Sequence, residues 1–112
     1  MKDKAYILRI INYASKIAKY MKNVETYESF KLNDEKVDAV ILNLEQIGET
    51  AKKLSIEAKN AYPNIKWPNI IGLRNMISHE YEGVNTLIIF EIVNKDIPNL
   101  LNTLSNSTSV NF

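Results

Sequence analysis

The chain has no cysteine, three glycines, three prolines, one histidine and one tryptophan in 112 residues. Each scarcity excludes something. Without cysteine there is no disulfide and no thiolate metal site, which fits a reducing compartment. Few Gly and Pro leave little turn chemistry, so long helices are favoured over a fold built on many tight turns. Charge of neither sign dominates: 14 Lys and Arg face 13 Asp and Glu, a net +1. No global field therefore draws nucleic acid, and any RNA contact has to be local. No apolar run approaches the roughly 18 residues of a membrane span, and the polar start Met-Lys-Asp-Lys carries no export signal. A soluble, cytoplasmic chain is expected. The length suits one domain, and a helical domain of this size often completes its burial by pairing with a second copy.

What is there is helical period. Ile7, Ile10, Ile11, Ala14, Ile17, Ala18 and Met21 recur at i, i+3, i+4, i+7, which predicts a first helix over 4–22. Tyr6, Tyr13 and Tyr20 repeat every seven residues and drift only about 20° per step, so they line one edge of that stripe. They either border the core or form part of a dimer seam. Residues 23–33 read as a connection, with Asn23 suited to a helix C-terminus and Tyr27 and Phe30 able to dock it. Asn33 or Asp34 can cap a second helix over 34–61, whose buried positions are Val37, Val40, Ile41, Leu44, Ile47, Ala51, Leu54 and Ala58. Gly48 within it predicts close approach of another helix. Glu45, Glu49, Lys52, Lys53, Glu57 and Lys59 read as a solvated face. A metal reading of Glu45 and Glu49 lacks a partnering His or further carboxylate, so no metal or cofactor is expected.

Pro63 predicts an end to the second helix, and Pro68 suits the first turn of a third, over 68–79. Gly83 is the natural stop after it. Asn85 caps a fourth, over 86–94, with Leu87, Ile88, Phe90 and Val93 apolar. Asp96 and Pro98 open a short last helix through Leu104, buried through Leu100, Leu101 and Leu104. No strand pattern competes. The expected architecture is an all-α bundle of four to five helices over residues 1–104, followed by a polar tail, 105–112.

Chemistry concentrates in Trp67–Tyr81, which holds the only Trp and the only His. Trp67 reads as a core anchor. The centre is Arg74-Asn75-x-x-x-His79-x-Tyr81. His79 is the one side chain whose ordinary pKa lies near neutrality, hence the ready general acid/base. Arg74 offers a planar fork of donors suited to phosphate. Asn75 can orient either partner, and Tyr81 supplies a phenol that can accept a transferred group. One imidazole and one guanidinium suffice in principle for metal-free RNA cleavage, the His moving a proton and the Arg stabilising charge on the phosphate. The bland reading is a His partnering a helix C-terminal dipole. On a regular helix Arg74 and Tyr81 lie about 20° apart, whereas His79 points about 140° from Arg74. Convergence on one phosphate then requires either a helix that ends near Ser78, with His79 turned back, or a site built across a two-fold axis; a helix loosened near 78–79 is expected, with a dimer bringing two copies of the motif to one cleft.

The motif Arg74-Asn75-x-x-x-His79-x-Tyr81 resembles the Arg-x4-His-x-Tyr motif of the HepT family of HEPN-domain proteins. Trp67-x-x-Ile70-x-Gly72-x-Arg74-Asn75 resembles the run leading into it, Ile47-Gly48-Glu49 followed by Ala51 the family's second-helix segment, and Asp96-Ile97-Pro98-x-Leu100 its last helix. The resemblance implies an α-helical, homodimeric, HEPN-like toxin of a toxin–antitoxin pair and a metal-independent endoribonuclease acting on RNA. It implies Arg74 and His79 as catalytic residues with Asn75 beside them. It also implies a nucleotidyltransferase antitoxin of the MNT type, which neutralises the toxin by transferring AMP to Tyr81. The alternative is a non-catalytic helical module that binds nucleotide or the nucleotidyltransferase.

Overall fold

In the computed structural model, residues 2–79 and 85–106 are described. Among them there are seven helices and no strand: α1 (Lys2–Met21), α2 (Tyr27–Lys31), α3 (Asp34–Lys52), α4 (Ile56–Asn60), α5 (Trp67–Ile71), α6 (Leu73–His79) and α7 (Thr86–Asn106). The class is the all-α, HEPN-like bundle expected. Helix α1 packs on both α3 and α7, α2 bridges α3 and α7, and α3 carries α5 and α6 on its other side. No helix among the described residues is long and apolar enough to cross a membrane.

The core follows the period of the long helices. Ile7, Ile10, Ala14 and Ile17 of α1 meet Val40, Leu44, Ile47 and Ala51 of α3 and Ile89, Val93, Ile97, Leu100 and Leu104 of α7. Ile11, Met21 and Ile41 are half-buried at its edge, while Ala18 is exposed. Tyr6, Tyr13 and Tyr20 are also half-buried against the core, as a bordering row. The buried Asn43 and Thr50 satisfy themselves on α3, donating to the carbonyls of Ala39 (2.8 Å) and Gln46 (2.7 Å).

Local caps account for several ends. Asn23 takes φ 74°, the left-handed geometry that Asn tolerates after a helix. Asn33 Oδ1 accepts from the Lys36 N–H at 3.1 Å to start α3, and Asn85 Oδ1 accepts from the Leu87 N–H at 3.0 Å to start α7. The connection 23–33 is more ordered than a loop. Thr26 caps α2, whose Phe30 is fully buried against Phe90.

Four boundaries depart from the sequence expectation. The second helix does not run to 61. It stops at Lys52, and the chain restarts at Ser55, whose Oγ accepts from the Ala58 N–H at 3.1 Å. The cause is non-local. The Asp3 carboxylate of α1 takes the Ser55 N–H at 2.9 Å and its hydroxyl at 2.6 Å, pinning the break. The third helix divides at Gly72, whose N–H returns to the Pro68 carbonyl at 3.0 Å. The fourth and last helices are one, α7, with Pro98 inside it and its end at Asn106 rather than Leu104. An internal proline costs about 3 kcal/mol. Keeping Ile97, Leu100 and Leu104 on one buried stripe with Ile89 and Val93 returns more, at roughly 1.5–3 kcal/mol for each large side chain. That stripe also sets the phase of α7, so Ile89 turns inward while Leu87 and Ile88 stay 43 % and 44 % exposed. Finally, α6 does not loosen at 78–79; its backbone is helical through His79. The expected stop at Gly83 and the tail from 107 onward lie outside the described residues.

Candidate functional site

The site is built on α6, and α6 is placed by α3. Leu73 and Ile77 are buried and fix which way the helix faces. Arg74 and Asn75, on the remaining face, are both exposed. Below them α3 crosses at its glycine. A Cβ on Gly48 would stand 3.2 Å from the Arg74 nitrogen, 3.2 Å from the Ile70 carbonyl oxygen and 3.4 Å from that of Ile71. A side chain here would be tighter against the facing backbone than ordinary contact allows, and glycine removes that crowding. The approach expected of Gly48 is therefore an approach to the residue that opens the motif.

The next residue on α3 uses that proximity. Glu49 Oε1 lies 2.8 Å from Arg74 Nε, an ion pair whose side chains are 37 % and 51 % exposed. It is the one ion pair among the described residues. Read from sequence, Glu49 belonged to a solvated face; it is instead the partner of the motif arginine. The signal that could have found it is the glycine beside it: a close-approach position followed directly by a carboxylate presents that carboxylate to whatever approaches.

The indole of Trp67 is buried, and its Nε1–H donates to the Lys59 carbonyl at 3.0 Å. It anchors the first residue of α5, as expected, and so holds the lead into α6. His79 closes α6 five residues after Arg74, which on a regular helix puts the two about 140° apart around the axis. Asn75 lies one turn before His79, on the same side. Tyr81 lies outside the described residues. Among the described residues no group of three or more His, Asp or Glu is placed to hold a metal ion.

A separate cleft of about 610 Å³ opens between α5–α6 and α7. Its floor is apolar, and Lys66, Asn69, Lys95, Asp96 and Asn99 stand at its walls. Neither Arg74 nor Asn75 lines it; α6 contributes Leu73 and Met76. It borders the motif helix without Arg74 or Asn75 among its described lining residues.

Comparison with known proteins places the chain in a family. The model of the family described as ribonuclease HepT-like matches residues 10–106, a span that includes α3 with Glu49 and α6 with Arg74. The chain belongs to the HepT-like ribonuclease family. A Methanocaldococcus jannaschii protein provisionally named an RNase is 31 % identical over 97 residues, covering 87 % of this chain and 88 % of that protein. A provisionally named RNase of Caldanaerobacter subterraneus subsp. tengcongensis is 33 % identical over 95 residues, 85 % and 84 % of the two chains. A Thermococcus cleftensis protein named "Probable ribonuclease HepT" is 34 % identical over 74 residues, 66 % and 67 % of the two. No solved structure matches.

Proposed function

We propose that this chain is the toxin of a toxin–antitoxin pair and a metal-independent endoribonuclease. Arg74 binds the scissile phosphate and stabilises the charge that develops on its oxygens. His79 moves the proton between the 2′-hydroxyl and the leaving oxygen, and Asn75, one turn before it, orients the imidazole or the substrate. The attacking 2′-oxygen forms a new bond to phosphorus as the P–O5′ bond breaks. A cyclic phosphate and a free 5′-hydroxyl result.

The observation that carries the reading is the presentation of Arg74. Its guanidinium stands half-exposed on a motif helix, held at Nε by Glu49, in a chain that belongs to a ribonuclease family. The continuous helix through His79 supports a homodimer as well. Without a loosened turn at 78–79, the remaining way to bring a guanidinium and an imidazole to one phosphate is across two copies of α6. Exposed Leu87 and Ile88 at the start of α7 offer such a pairing an uncovered apolar surface.

The proposed partner is an MNT-type nucleotidyltransferase antitoxin in the same cytoplasm, transferring AMP to Tyr81. An adduct seven residues from Arg74 would lie on the arginine's face of a helix continued to that point, where its phosphate competes for the guanidinium. One observation favours the second reading, a non-catalytic nucleotide-binding module. The 610 Å³ cleft has an apolar floor, and Lys66 and Lys95 at its walls form no ion pair with a described residue.

The deciding experiment is cleavage of a mixed RNA substrate by purified protein in excess EDTA, with His79→Ala alongside. Cleavage by the parent and loss in the variant, at unchanged helical circular dichroism, is expected. An unmodified dimeric parent that leaves RNA intact would transfer the conclusion to the binding module.

A further inference from the structure

Resting on the ribonuclease reading, we infer that Glu49 is a positioning residue for the reaction, acting through Arg74. A carboxylate beside a phosphate site is electrostatically unwelcome, because it repels the RNA backbone. Its presence 2.8 Å from the motif arginine therefore calls for a compensating role, and the atoms in contact supply one. The guanidinium has five N–H donors in a fixed plane. Glu49 engages the fork at Nε, the nitrogen nearest the chain, and a phosphate would be met by the N–H donors of the terminal amino groups. An arginine on a half-exposed surface otherwise samples many rotamers. Tethered at Nε, its plane is set before substrate arrives, and the ordering cost does not fall on the transition state.

The tether is itself rigid. Glu49 follows Gly48, where α3 passes so close to α6 that an added Cβ would stand 3.2 Å from the Arg74 backbone nitrogen. Backbone approach and side-chain ion pair thus converge on Arg74 from two adjacent residues of α3. One short helix before α6, Trp67 holds the far end of the same wall through the Lys59 carbonyl.

This role makes a distinctive kinetic prediction. Losing a phosphate-binding group raises KM. Losing Glu49 removes a negative charge, so substrate binding is unchanged or tighter while the chemical step suffers. For Glu49→Ala, kcat is expected to fall roughly 10-fold or more, with KM unchanged or lower. Glu49→Gln keeps an oxygen that accepts from Nε–H and is expected to retain most of kcat. Glu49→Asp keeps the charge but falls short by one methylene and is expected to behave like the alanine variant. The melting temperatures of all three should stay within about 2 °C of the parent, since both groups are well exposed.

The measurement is steady-state cleavage of a fluorogenic RNA in EDTA by the full chain and the three variants, with thermal melts on the same samples. A parental kcat shared by Glu49→Ala overturns the inference and leaves the ribonuclease reading intact. So does a raised KM at constant kcat, or a loss of activity that tracks a loss of Tm. A parent that does not cleave RNA overturns both together. The expected pattern, Gln active and Asp impaired, separates position from charge.

Discussion

Replacing Gly48 with alanine sets two well-calibrated effects against each other. In an exposed helix the exchange would stabilise by about 1 kcal/mol, because glycine has more backbone freedom to lose. Here the new methyl meets the Arg74 nitrogen and the Ile70 oxygen, both at 3.2 Å, and the Ile71 oxygen at 3.4 Å. All three are backbone atoms, so no rotamer change relieves the contact, and α5–α6 would have to retreat from α3 by a few tenths of an ångström. Overpacking of this kind costs about 1–3 kcal/mol. The balance is a net destabilisation of about 1 kcal/mol, read as a fall in Tm of roughly 4 °C for a domain of this size. Activity should suffer more than stability does, because the retreat lengthens the 2.8 Å link between Glu49 and Arg74. The assay is a thermal melt of Gly48→Ala paired with RNA cleavage in EDTA. A Tm at or above the parent's would refute the reasoning, since it would mean that the crossing of α3 and α6 has slack.

Two further outcomes are expected. Hydrogen bonds from the Ser55 hydroxyl, then from its N–H, hold the Asp3 carboxyl below the ordinary aspartate value of 3.8. A depressed folded-state pKa contributes stability above the unfolded value that is lost as pH falls through the folded one. Asp3→Ala should therefore cost about 1 kcal/mol near neutrality and less on acidification below about pH 4, checked by urea melts across that range. Pro98→Ala should restore the missing amide donor inside α7. Net of the greater freedom of the unfolded chain, it should raise stability by roughly 2 kcal/mol, measured by urea denaturation.

Legibility followed the range of the interactions. The stripes of α1 and α3 could be read because Ile7–Ile17 and Val37–Ala51 obey a local period, and Gly48 stood out because a glycine within a helix asks for a reason. The break at Ser55 could not be read. Its cause is Asp3, 52 residues away, and nothing near Ser55 distinguishes it from a mid-helix serine. Pro98 misled for the opposite reason: a strong local rule yielded to the tertiary stripe of Ile97, Leu100 and Leu104. At the candidate site, Arg74, Asn75 and His79 are named from chemistry alone. Glu49 is not, because its pairing with Arg74 shows only when α3 and α6 are laid together. Tyr81 lies beyond the described residues, so its part rests on the motif.

The lone tryptophan offers a way to watch the site that needs no label. Trp67 is the single indole among six tyrosines, and it sits at the head of the wall that ends in the motif, with its ring buried and its nitrogen tied to Lys59. Light absorbed selectively by that indole is emitted from one place. A buried, hydrogen-bonded ring emits to the blue of a solvated one, so a red shift would signal that α5 has come away from α3. The protein thus carries an intrinsic optical probe of the seam on which Arg74 depends, usable in real time while RNA or a partner protein is added.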